Sequence, residues 1–551
     1  MQRPIRIGFL INSFEMQSWE IRCILKMFEL PFVKPVIVVM PETTHQPAKS
    51  LFQKIKGFQY SRLLWKLYNK YGKDIDAYRT ANAEKLFQGC KVISCNVIRK
   101  GKYAEYFPDD VLEQIRHSEL DVLIRFGFNI IKGEILNIPQ NGVWSYHHCD
   151  EQYYRGGPAG FWEIYKNDPV TGFLLQRLTE QLDAGHMIRK GWVSTIRHSY
   201  RANTEQILRA SESAIQQALT DLYNNTIQYT PVHTSAPVFR YPNNWQMLNM
   251  WLKLAINKFR FHFRELFLPE KWAVGIIHQS FDDILKNGIQ SEIQWKEAGS
   301  ANEYLADPFP HKSENQEFIL AEHYDYKTGK GSIVKLNQQG STAFLSANEH
   351  LSYPFSFIFE NEAYFIPECH QSDKVDLYKI ENQQPVFITT LIENFKAVDA
   401  SMVRHLNKWF LFCTREDEYT NASLYIFWSD TLTGSFQPHG NNPVKLDIRN
   451  ARPGGSFLHH EGKLYRVAQD CSESYGCAVI VNEIDILNTT EYREHAVQRI
   501  APDKNWKYNK GLHTLTFIND QYVLIDAKRY SFSRAHFRKA LSRKFGKLTG
   551  R

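Results

Sequence analysis

The chain has 551 residues, of which 43% are hydrophobic and 23% charged, and its formal net charge is +7. This balance is that of a globular protein and excludes collagen-like, coiled-coil and wholly disordered chains. The length predicts several domains, roughly two to four. The eight cysteines form no C-x-x-C pair, which excludes a disulfide framework or a zinc ribbon and favours a reducing compartment.

The N-terminal run Ile5 to Ile11 is short, apolar and interrupted by glycine, which predicts a first β-strand and no signal peptide. Nowhere does the sequence hold about 18 consecutive uncharged apolar residues, the length that a membrane-spanning helix requires. We therefore expect a cytoplasmic protein, either soluble or peripheral to a membrane.

Residues 1–230 alternate apolar strand patterns with helical patterns, which predicts a Rossmann-like α/β domain with helices on both faces of a sheet. The predicted strands are Ile5 to Ile11, Lys34 to Val39, Lys91 to Ser94, Val122 to Phe126, Gly142 to His147 and Phe173 to Arg177. The predicted helices are Trp19 to Phe28, Asp110 to Arg116, a short one within residues 156–167, and a long one from Thr204 to Tyr223.

The composition changes after this domain. Prolines and asparagines predict a linker over residues 231–270, and its Trp245 to Phe267 part is aromatic, basic and amphipathic. From residue 271 to 530, short strand patterns alternate with turn residues and almost no helical pattern occurs, which predicts an all-β domain.

A loose repeat runs through the all-β region. Its aligned starts are Ala306-Asp-Pro-Phe309, Ser352-Tyr-Pro-Phe355, Val398-Asp-Ala-Ser401, Arg452-Pro-Gly-Gly455 and Leu512-His-Thr-Leu515. An apolar strand, a turn and a second apolar strand follow each start. This spacing is typical of propeller blades, so the sequence predicts a five-bladed β-propeller.

The first candidate site lies at the end of the predicted strand Gly142 to His147. Side chains alternate along a strand, so Ser145 and His147 point to one face. Ligands bind where strands of an open α/β sheet give way to loops. A histidine at a strand end is more often structural than functional. This pattern alone therefore leaves open whether His147 has a structural role or binds a ligand.

Several motifs occur together around this strand. They are the run Asp121-Val-Leu-Ile-Arg-Phe-Gly-Phe-Asn-Ile-Ile131, the strand Val143-Trp-Ser-Tyr-His147, the turn Tyr154-Arg-Gly-Gly-Pro158, Thr171-Gly172, and Leu182-Asp-Ala-Gly185. In this order they resemble the 10-formyltetrahydrofolate-dependent formyltransferases, which act on glycinamide ribonucleotide, methionyl-tRNA or amino sugars. The resemblance implies a formyltransferase fold for this domain.

The resemblance also implies the site residues. His147 matches the family's catalytic histidine and Asp183 its catalytic aspartate, while Ser145 stands where the family has asparagine. In the family an amine attacks the formyl carbon, the asparagine and histidine donate to the developing oxyanion, and the aspartate helps to move the proton. Preorganised donors and a base are what acyl transfer to an amine requires. A serine hydroxyl reaches less far than an amide, so the site is either re-tuned or altered in its reaction.

The resemblance places the pterin of 10-formyltetrahydrofolate between two segments. The implied cofactor-binding residues are Phe128, Asn129, Ile130, Ile131, Leu182 and Asp183. Taken singly, the apolar members are better explained as core packing. The neighbours of His147, which are His148, Cys149 and Asp150, do not predict a metal site, because adjacent strand residues face opposite ways.

The second candidate site lies in the predicted propeller, where Asp307, Glu368, Asp399 and Asp470 fall at blade starts or inner strand ends. Five-bladed propellers that resemble furanosidases use such a ring of carboxylates as acid and base. The segments around Ala306, His350, Ala451 and Tyr465 more closely resemble the N-terminal domain of plant glucosamine inositolphosphorylceramide transferases. This resemblance implies that the domain acts on or binds a glycan or glycolipid. The alternative is that the four carboxylates are only solvent-exposed residues of turns.

Residues 531–551 form a basic tail. From Lys528 to Arg551 there are nine Lys or Arg and no Asp or Glu, with Phe537, Leu541, Phe545 and Leu548 at helical spacing. Such a helix suits an anionic membrane surface. A solvated tail is the ordinary alternative, and nucleic acid, a less favoured partner, attracts the same charges.

Three functions are consistent with the sequence. The leading one is transfer of a formyl group from 10-formyltetrahydrofolate to an amine of a sugar or glycolipid precursor, with the propeller contacting carbohydrate. The second is a glycan-active propeller, either glycosyltransferase or hydrolase, beside a diverged α/β domain. The third is a glycan-binding protein without turnover.

Overall fold

The computed structural model of the protein describes residues 3–42, 60–72, 74–101, 103–181, 185–313, 316–337 and 340–548, without the side chains of residues 312, 313, 316, 370 and 545–548. Contacts divide the chain into two compact units, Met1–Lys258 and Phe259–Arg551. The boundary lies inside the helix Asn244–Phe267, within the segment where the sequence predicts a linker.

Unit 1 contains an eight-stranded sheet. Its strands lie in the order Thr230–Pro231, His186–Ser194, Val170–Arg177, Val143–His147, Val122–Arg125, Ile5–Leu10, Val33–Pro41 and Lys91–Cys95. The last five are parallel to one another, and each of the first three is antiparallel to the strand that follows it in this order. The central parallel strands are apolar on both faces, as strands covered by helices on both sides must be.

The helices of unit 1 cover both faces of this sheet. They are Ser18–Phe28, Leu63–Leu67, Asp109–Arg116, Phe161–Lys166, Tyr200–Ser211 and Ala214–Tyr223. One apolar core holds Phe9 and Trp144, and a second core on the other side holds Leu10 and Val143. The predicted Rossmann-like α/β architecture is confirmed.

The predicted helix from Thr204 to Tyr223 is wrong, because the structure has two helices that are separated after Ser211. The hydroxyl of Tyr146 lies in the break. It donates to the carbonyl oxygen of Ser211 at 3.0 Å and accepts from the amide of Ile215 at 3.1 Å. A side chain inserted into the helical hydrogen-bond ladder interrupts it, and this insertion cannot be read from the helical pattern itself.

Small sheets complete unit 1. Glu15–Gln17 pairs with Thr80–Asn82, and Arg155–Gly156 pairs with Val238–Phe239. A three-stranded sheet orders Ile98–Lys100, Ala104–Tyr106 and Ile130–Ile131. The last of these pairings fixes the chain immediately after the strand Val122–Arg125, beside the candidate site.

Unit 2 consists mainly of antiparallel sheets, here called blades 1 to 5. The first four are consecutive in the chain. Blade 1 has the strands Glu303–Ser313, Gln316–Asp325, Lys330–Asn337 and Gly340–Leu345, and blade 2 has Ser352–Phe359, Glu362–Glu368, Lys374–Glu381 and Gln384–Glu393. Blade 3 has Ala397–His405, Lys408–Arg415, Ser423–Ser429 and Gln437–Pro438, and Lys445–Leu446 pairs with its third strand; blade 4 has Pro453–His460, Lys463–Asp470, Ala478–Leu487 and Tyr492–Ile500.

Blade 5 is built from both ends of the unit. The strands Glu270–His278 and Ile293–Lys296 precede blade 1, whereas Leu515–Phe517 and Tyr522–Tyr530 follow blade 4. Glu270–His278 pairs along its whole length with Tyr522–Tyr530. The strands Glu303–Ser313, Ser352–Phe359, Ala397–His405, Pro453–His460 and Leu515–Phe517 contact one another in this order, and Leu515–Phe517 also contacts Glu303–Ser313. The predicted five-bladed propeller architecture is confirmed.

The repeated sequence starts correspond to a β-bulge in the innermost strand of each of the first four blades. The register shifts at Ala306/Phe309, Ser352/Phe355, Val398/Ser401 and Pro453/Phe457. Each bulge holds a residue with positive φ: Asp307, Tyr353, Asp399 or Gly455. A bulge leaves an unpaired backbone amide and re-aims a side chain, so the repeat has a structural cause.

Unit 2 also holds the helices Phe281–Asn287 and Arg534–Leu548. In the part of the chain that the structure describes, no helix is long and apolar enough to cross a membrane.

Candidate functional site

A pocket lies at the carboxyl ends of the parallel strands Val122–Arg125 and Val143–His147, where ligands of open α/β sheets bind. Its volume is about 140 Å³. The lining residues are Arg125, Asn129, Ile130, Ile131, Lys132, Ser145, Tyr146, His147, Gln176, Leu178, Thr179, Glu180, Gln181 and Gly185. The structure thus brings Ser145 and His147 together with three of the predicted pterin-binding residues.

Three polar side chains lie side by side at this edge of the sheet. The pairing register sets Ser145 opposite Arg125 on one neighbouring strand and opposite Gln176 on the other. Partners in register point to the same face. The sequence analysis assigned no role to Arg125 or Gln176. For Arg125 a signal existed, because a charged residue ends the otherwise apolar strand Val122–Arg125.

Arg125 is held by three hydrogen bonds. Its Nη1 donates to Oγ of Ser145 at 2.9 Å, and its Nη2 donates to the carbonyl oxygens of Phe128 at 3.0 Å and Asn129 at 2.7 Å. Its Nε is buried and has no hydrogen-bond partner among the described residues. Burial lowers the pKa of Arg125, and the carboxylate of Glu105 opposes that shift. A cationic donor is therefore fixed beside Ser145, the position at which the resembled family has asparagine.

The segment that follows Arg125 is fixed by the buried carboxylate of Glu105. One oxygen accepts from the amide of Asn129 and the other from its side-chain nitrogen, both at 2.7 Å. Phe128 has a positive φ of 63°, and its ring packs against Phe107 at 5.2 Å. Phe128 therefore packs against an apolar core. Ile131 belongs to that core and also lines the pocket, as Ile130 does.

His147 lines the pocket and is held from behind by a cysteine. Its Nε2 lies 2.8 Å from Sγ of Cys149. The S–H of this buried thiol donates to the carbonyl oxygen of Tyr154 at 3.2 Å. This contact between Cys149 and His147 was not expected from the sequence. No motif marked it, because the contact depends on the chain turning after His147.

His148 and Asp150 have other partners. Nε2 of His148 lies 3.0 Å from Oγ of Ser211, and burial lowers the pKa of His148 to about 3, so this imidazole is neutral. Asp150 accepts from Nζ of Lys190 and Nε1 of Trp192, both at 2.7 Å. The three residues that follow His147 therefore do not converge on a common point.

The last wall of the pocket is the segment Thr179, Glu180 and Gln181. Oε1 of Glu180 accepts from the amide of Gly133 at 2.7 Å, which ties this segment to the wall that follows Arg125. The predicted residues Leu182 and Asp183 come next and lie outside the described residues. The role of Asp183 stays a prediction.

The propeller brings a second set of polar residues together at the blade starts. Asp307, Glu368 and Asp399 are buried, and each carboxylate accepts hydrogen bonds from the protein. The amide of Tyr353 donates to Asp307 at 3.2 Å, and that of Asp399 donates to Glu368 at 2.8 Å. The solvated-turn interpretation therefore does not describe these three carboxylates. Asp307 and Glu368 accept from amides of the bulges, whereas Asp399 accepts from the side chains of Arg452 and Gln469.

A buried histidine completes this group. Nδ1 of His513 lies 2.6 Å from Asp526, and its Nε2 lies 3.2 Å from Asp307. The two carboxylates overcome burial and raise the pKa of His513 to about 10. The same three residues have ligand atoms close enough together to hold a metal ion. A protonated imidazole between two carboxylates accounts for the arrangement as an ion pair.

Asp399 and Asp470 have different cationic partners. Asp399 accepts from Nε of the buried Arg452 at 2.6 Å, whereas Asp470 pairs with Nε of Arg499 at 2.9 Å. The carboxylate of Asp470 also accepts from the amide of Ser472 at 2.9 Å. The structure thus brings together Asp307, Glu368 and Asp399, and it places Asp470 in a separate ion pair.

Residues 284–516 match the family model of the N-terminal region of glucosamine inositolphosphorylceramide transferase 1. The protein of that name from Oryza sativa subsp. japonica is 34% identical over 213 residues, which are 36% of this chain and 28% of the relative. The Arabidopsis thaliana protein is 31% identical over 210 residues, which are 36% of this chain and 28% of that relative.

The chain is also similar to methionyl-tRNA formyltransferase of Prochlorococcus marinus subsp. pastoris, with 25% identity over 179 residues, 30% of this chain and 54% of the relative. Solved structures that it matches include a sugar 3N-formyltransferase, with 13% identity, 61% of this chain, 100% of that chain and a TM-score of 0.28. Another matched structure is an exo-β-1,3-galactanase of Clostridium thermocellum. The identity is 9%, the match covers 37% of this chain and 53% of that chain, and the TM-score is 0.30.

These matches confirm both resemblances that the sequence suggested, and similarity to two kinds of transferase supports an enzyme. The chain spans about a quarter of the length of the plant relatives and about half of the methionyl-tRNA formyltransferase that it matches.

Proposed function

We propose that this protein transfers a formyl group from 10-formyltetrahydrofolate to an amine of a sugar or glycolipid precursor. The observation that carries the proposal is the pocket in which Arg125, Ser145 and His147 converge at the ends of two parallel strands. Hydrogen-bond donors for the developing oxyanion and a group that accepts a proton are what acyl transfer to an amine needs.

The lining fits the proposed donor. Ile130, Ile131 and Leu178 supply apolar surface for a flat ring, and the cationic side chain of Arg125 lines the same pocket. The folate supplies an activated formyl carbonyl when it is bound. With the formyl carbonyl in this pocket, Arg125 would donate to the oxygen on which negative charge develops, and Ser145 would orient the guanidinium.

The proton that leaves the attacking amine needs an acceptor. His147 is the described titratable group in the pocket that suits this role, with Asp183 as the predicted partner from the neighbouring loop. Cys149 holds the imidazole from behind at 2.8 Å and limits its rotation. A fixed imidazole loses less freedom when the substrates bind, which favours catalysis.

The proposed acceptor is a carbohydrate because of the propeller. Residues 284–516 match a family model named for a glucosamine inositolphosphorylceramide transferase, and the plant relatives carry the same name, which joins an amino sugar to a lipid. A unit of this kind beside a formyltransferase-like unit favours an amino sugar or a glycolipid over tRNA as the acceptor.

A second candidate function is that the propeller itself binds or transfers a glycan. The same match favours it, together with the buried carboxylates Asp307, Glu368 and Asp399. Against it, these carboxylates are occupied by backbone amides and by Arg452. We expect any glycan to be bound by other residues of the propeller surface.

The test of the leading proposal uses the full chain, 10-formyltetrahydrofolate and a panel of nucleotide-linked amino sugars. Release of tetrahydrofolate is followed with and without each acceptor. We expect at least one acceptor to raise the rate above that of the His147→Ala variant. If no acceptor raises it above that background, the proposal is wrong, and glycan-array binding by the full chain then tests the second candidate.

A further inference from the structure

The helix Asn244–Phe267 carries a row of large apolar side chains that the protein leaves exposed. We call this row the apolar stripe: Trp245, Leu248, Leu252, Ile256, Phe259 and Phe263. Each of these side chains is between 41% and 75% exposed. Single exposed apolar residues are ordinary on protein surfaces, but a contiguous row of this size marks an interaction surface.

The opposite side of the same helix is packed over its N-terminal half, as far as Asn257, whereas Phe261 farther along is 46% exposed. Met247 and Met250 are buried in an apolar cluster of unit 1, with Leu254 against it. Nζ of Lys253 donates to the carbonyl oxygen of Tyr165 at 2.7 Å, and other side chains of this face make similar bonds. These contacts fix the rotation of the helix, so the apolar stripe faces outward because of the fold.

The spacing of the apolar stripe keeps it on one side of the helix. Successive members are three, four, four, three and four residues apart. The average is about 3.6 residues, which is the repeat of a straight helix. The row therefore stays on one side over the whole helix, as a helix that lies on a flat surface requires.

The charges of the helix point to the same partner. It carries four Lys or Arg and one acid, Glu265. Lys253 donates to Tyr165 and Arg264 donates to Tyr530, whereas Lys258 and Arg260 are exposed. Glu265 forms an ion pair at 3.0 Å with Lys544 of the C-terminal helix. Basic residues beside an aromatic and aliphatic row are typical of helices that lie in the interface of an anionic membrane.

We propose that the apolar stripe docks this protein on the surface of an anionic lipid bilayer, with the helix Asn244–Phe267 parallel to the membrane plane. Trp245, Phe259 and Phe263 would enter the interfacial region, which favours aromatic rings. The proposal goes beyond the proposed function and does not depend on it. Its consequence is that acceptors attached to lipid lie close to the protein.

The basic tail contributes differently from what its sequence suggests. The ring of Phe537 stacks on Phe267 at 5.3 Å, so this part of the tail's apolar face is used within unit 2. The side chains of Phe545 and Leu548 lie outside the described ones. An anchor made by the tail itself stays a prediction, and the inference above rests on the helix that the tail packs against.

The test is co-sedimentation of the full chain with two kinds of vesicle, phosphatidylcholine alone and phosphatidylcholine mixed with phosphatidylserine. The variant Leu252→Ser with Phe259→Ser removes two members of the apolar stripe at unchanged charge. The matched control is Leu406→Ser, because Leu406 is 78% exposed on a turn of blade 3. Circular dichroism verifies that each variant folds as the unchanged protein does.

We expect the unchanged protein and the control to bind the mixed vesicles and the double variant to bind them at least tenfold more weakly. Equal binding by the double variant would overturn the proposal, because charge alone would then explain the attraction. Sedimentation velocity without vesicles provides the second check. The unchanged protein could instead self-associate, with the double variant abolishing this association and neither protein binding vesicles. That result would identify the surface as a contact between copies of the chain and would also overturn the proposal.

Discussion

Nη1 of Arg125 lies 2.9 Å from Oγ of Ser145, across two neighbouring parallel strands. The serine is the position at which this chain departs from the formyltransferases that it resembles. The guanidinium next to it restores a donor at the same edge of the sheet, and this donor carries a full positive charge. The departure at Ser145 is therefore best understood together with Arg125.

Replacing Arg125 by methionine should lower kcat/KM for formyl transfer by about 10²- to 10³-fold, the usual cost of removing one oxyanion donor. The matched control is Ser145→Ala, which leaves the guanidinium in place and should cost less than about tenfold. Steady-state rates of tetrahydrofolate release measure both variants. An Arg125→Met enzyme as active as the control would remove Arg125 from the reaction.

Replacing Ser145 by asparagine should preserve or increase activity. The amide oxygen can accept from Arg125 as the hydroxyl does, while the amide nitrogen adds the donor that the resembled family uses. The same folate-release assay measures the outcome. An inactive variant that folds normally would show that the hydroxyl of Ser145 has a role that an amide cannot fill.

Replacing His147 by alanine should lower kcat by about 10²- to 10⁴-fold, because general acid–base groups contribute that much. Asp183→Asn should have a comparable effect if the role implied by the resemblance holds. The neighbouring His148 provides the control, since it bonds to Ser211 and does not line the pocket. His148→Asn should alter stability more than rate, and equal losses in rate for both histidines would contradict the assignment.

The stability that His513 gives to the propeller should depend on pH. Its pKa is raised to about 10 by Asp526 and Asp307, above the value of about 6.5 for an unfolded histidine. A raised pKa stabilises the fold fully below the unfolded value, and this contribution is lost as the pH rises through the folded value. The free energy of unfolding should thus exceed that of His513→Gln most below about pH 6.5 and by much less near pH 10.

Urea unfolding of the full chain measures this difference, with fluorescence of Trp272, whose ring lies 4.0 Å from that of His513, as the local probe. The control is His495→Gln, because His495 and Asp485 form an exposed pair. Exposed pairs contribute little to stability, so the control should follow the unchanged protein. A His513→Gln difference that is constant with pH would show that His513 is neutral in the fold.

A fragment of residues 270–530 should fold on its own, since it contains all strands of the five blades. A fragment of residues 297–530 lacks Glu270–His278 and Ile293–Lys296 and leaves Tyr522–Tyr530 without its partner. We expect this shorter fragment to be unfolded or aggregated, because the exposed edge strand and its apolar face lose their cover. Thermal melting followed by circular dichroism distinguishes the two, and equal cooperative melting would contradict the closure by pairing of both ends.

The sequence by itself determined most of the local architecture of this protein. Apolar runs that end at His147 and near Arg125 predict buried strands, because strands covered on both faces have no polar positions to spare. The spacing of the repeated starts predicts five blades for a similar reason, since each blade needs the same turn and the same two strands to bury its share of the core.

Only the tertiary structure decided how distant residues meet. The insertion of Tyr146 between Ser211 and Ile215 divides a helix that the pattern alone predicts as continuous. Blade 5 joins strands that lie more than two hundred residues apart, and Arg125 approaches Ser145 across a strand pair. Periodicity reports which face of an element is apolar, whereas pairing partners and side-chain contacts depend on long-range packing that no local pattern encodes.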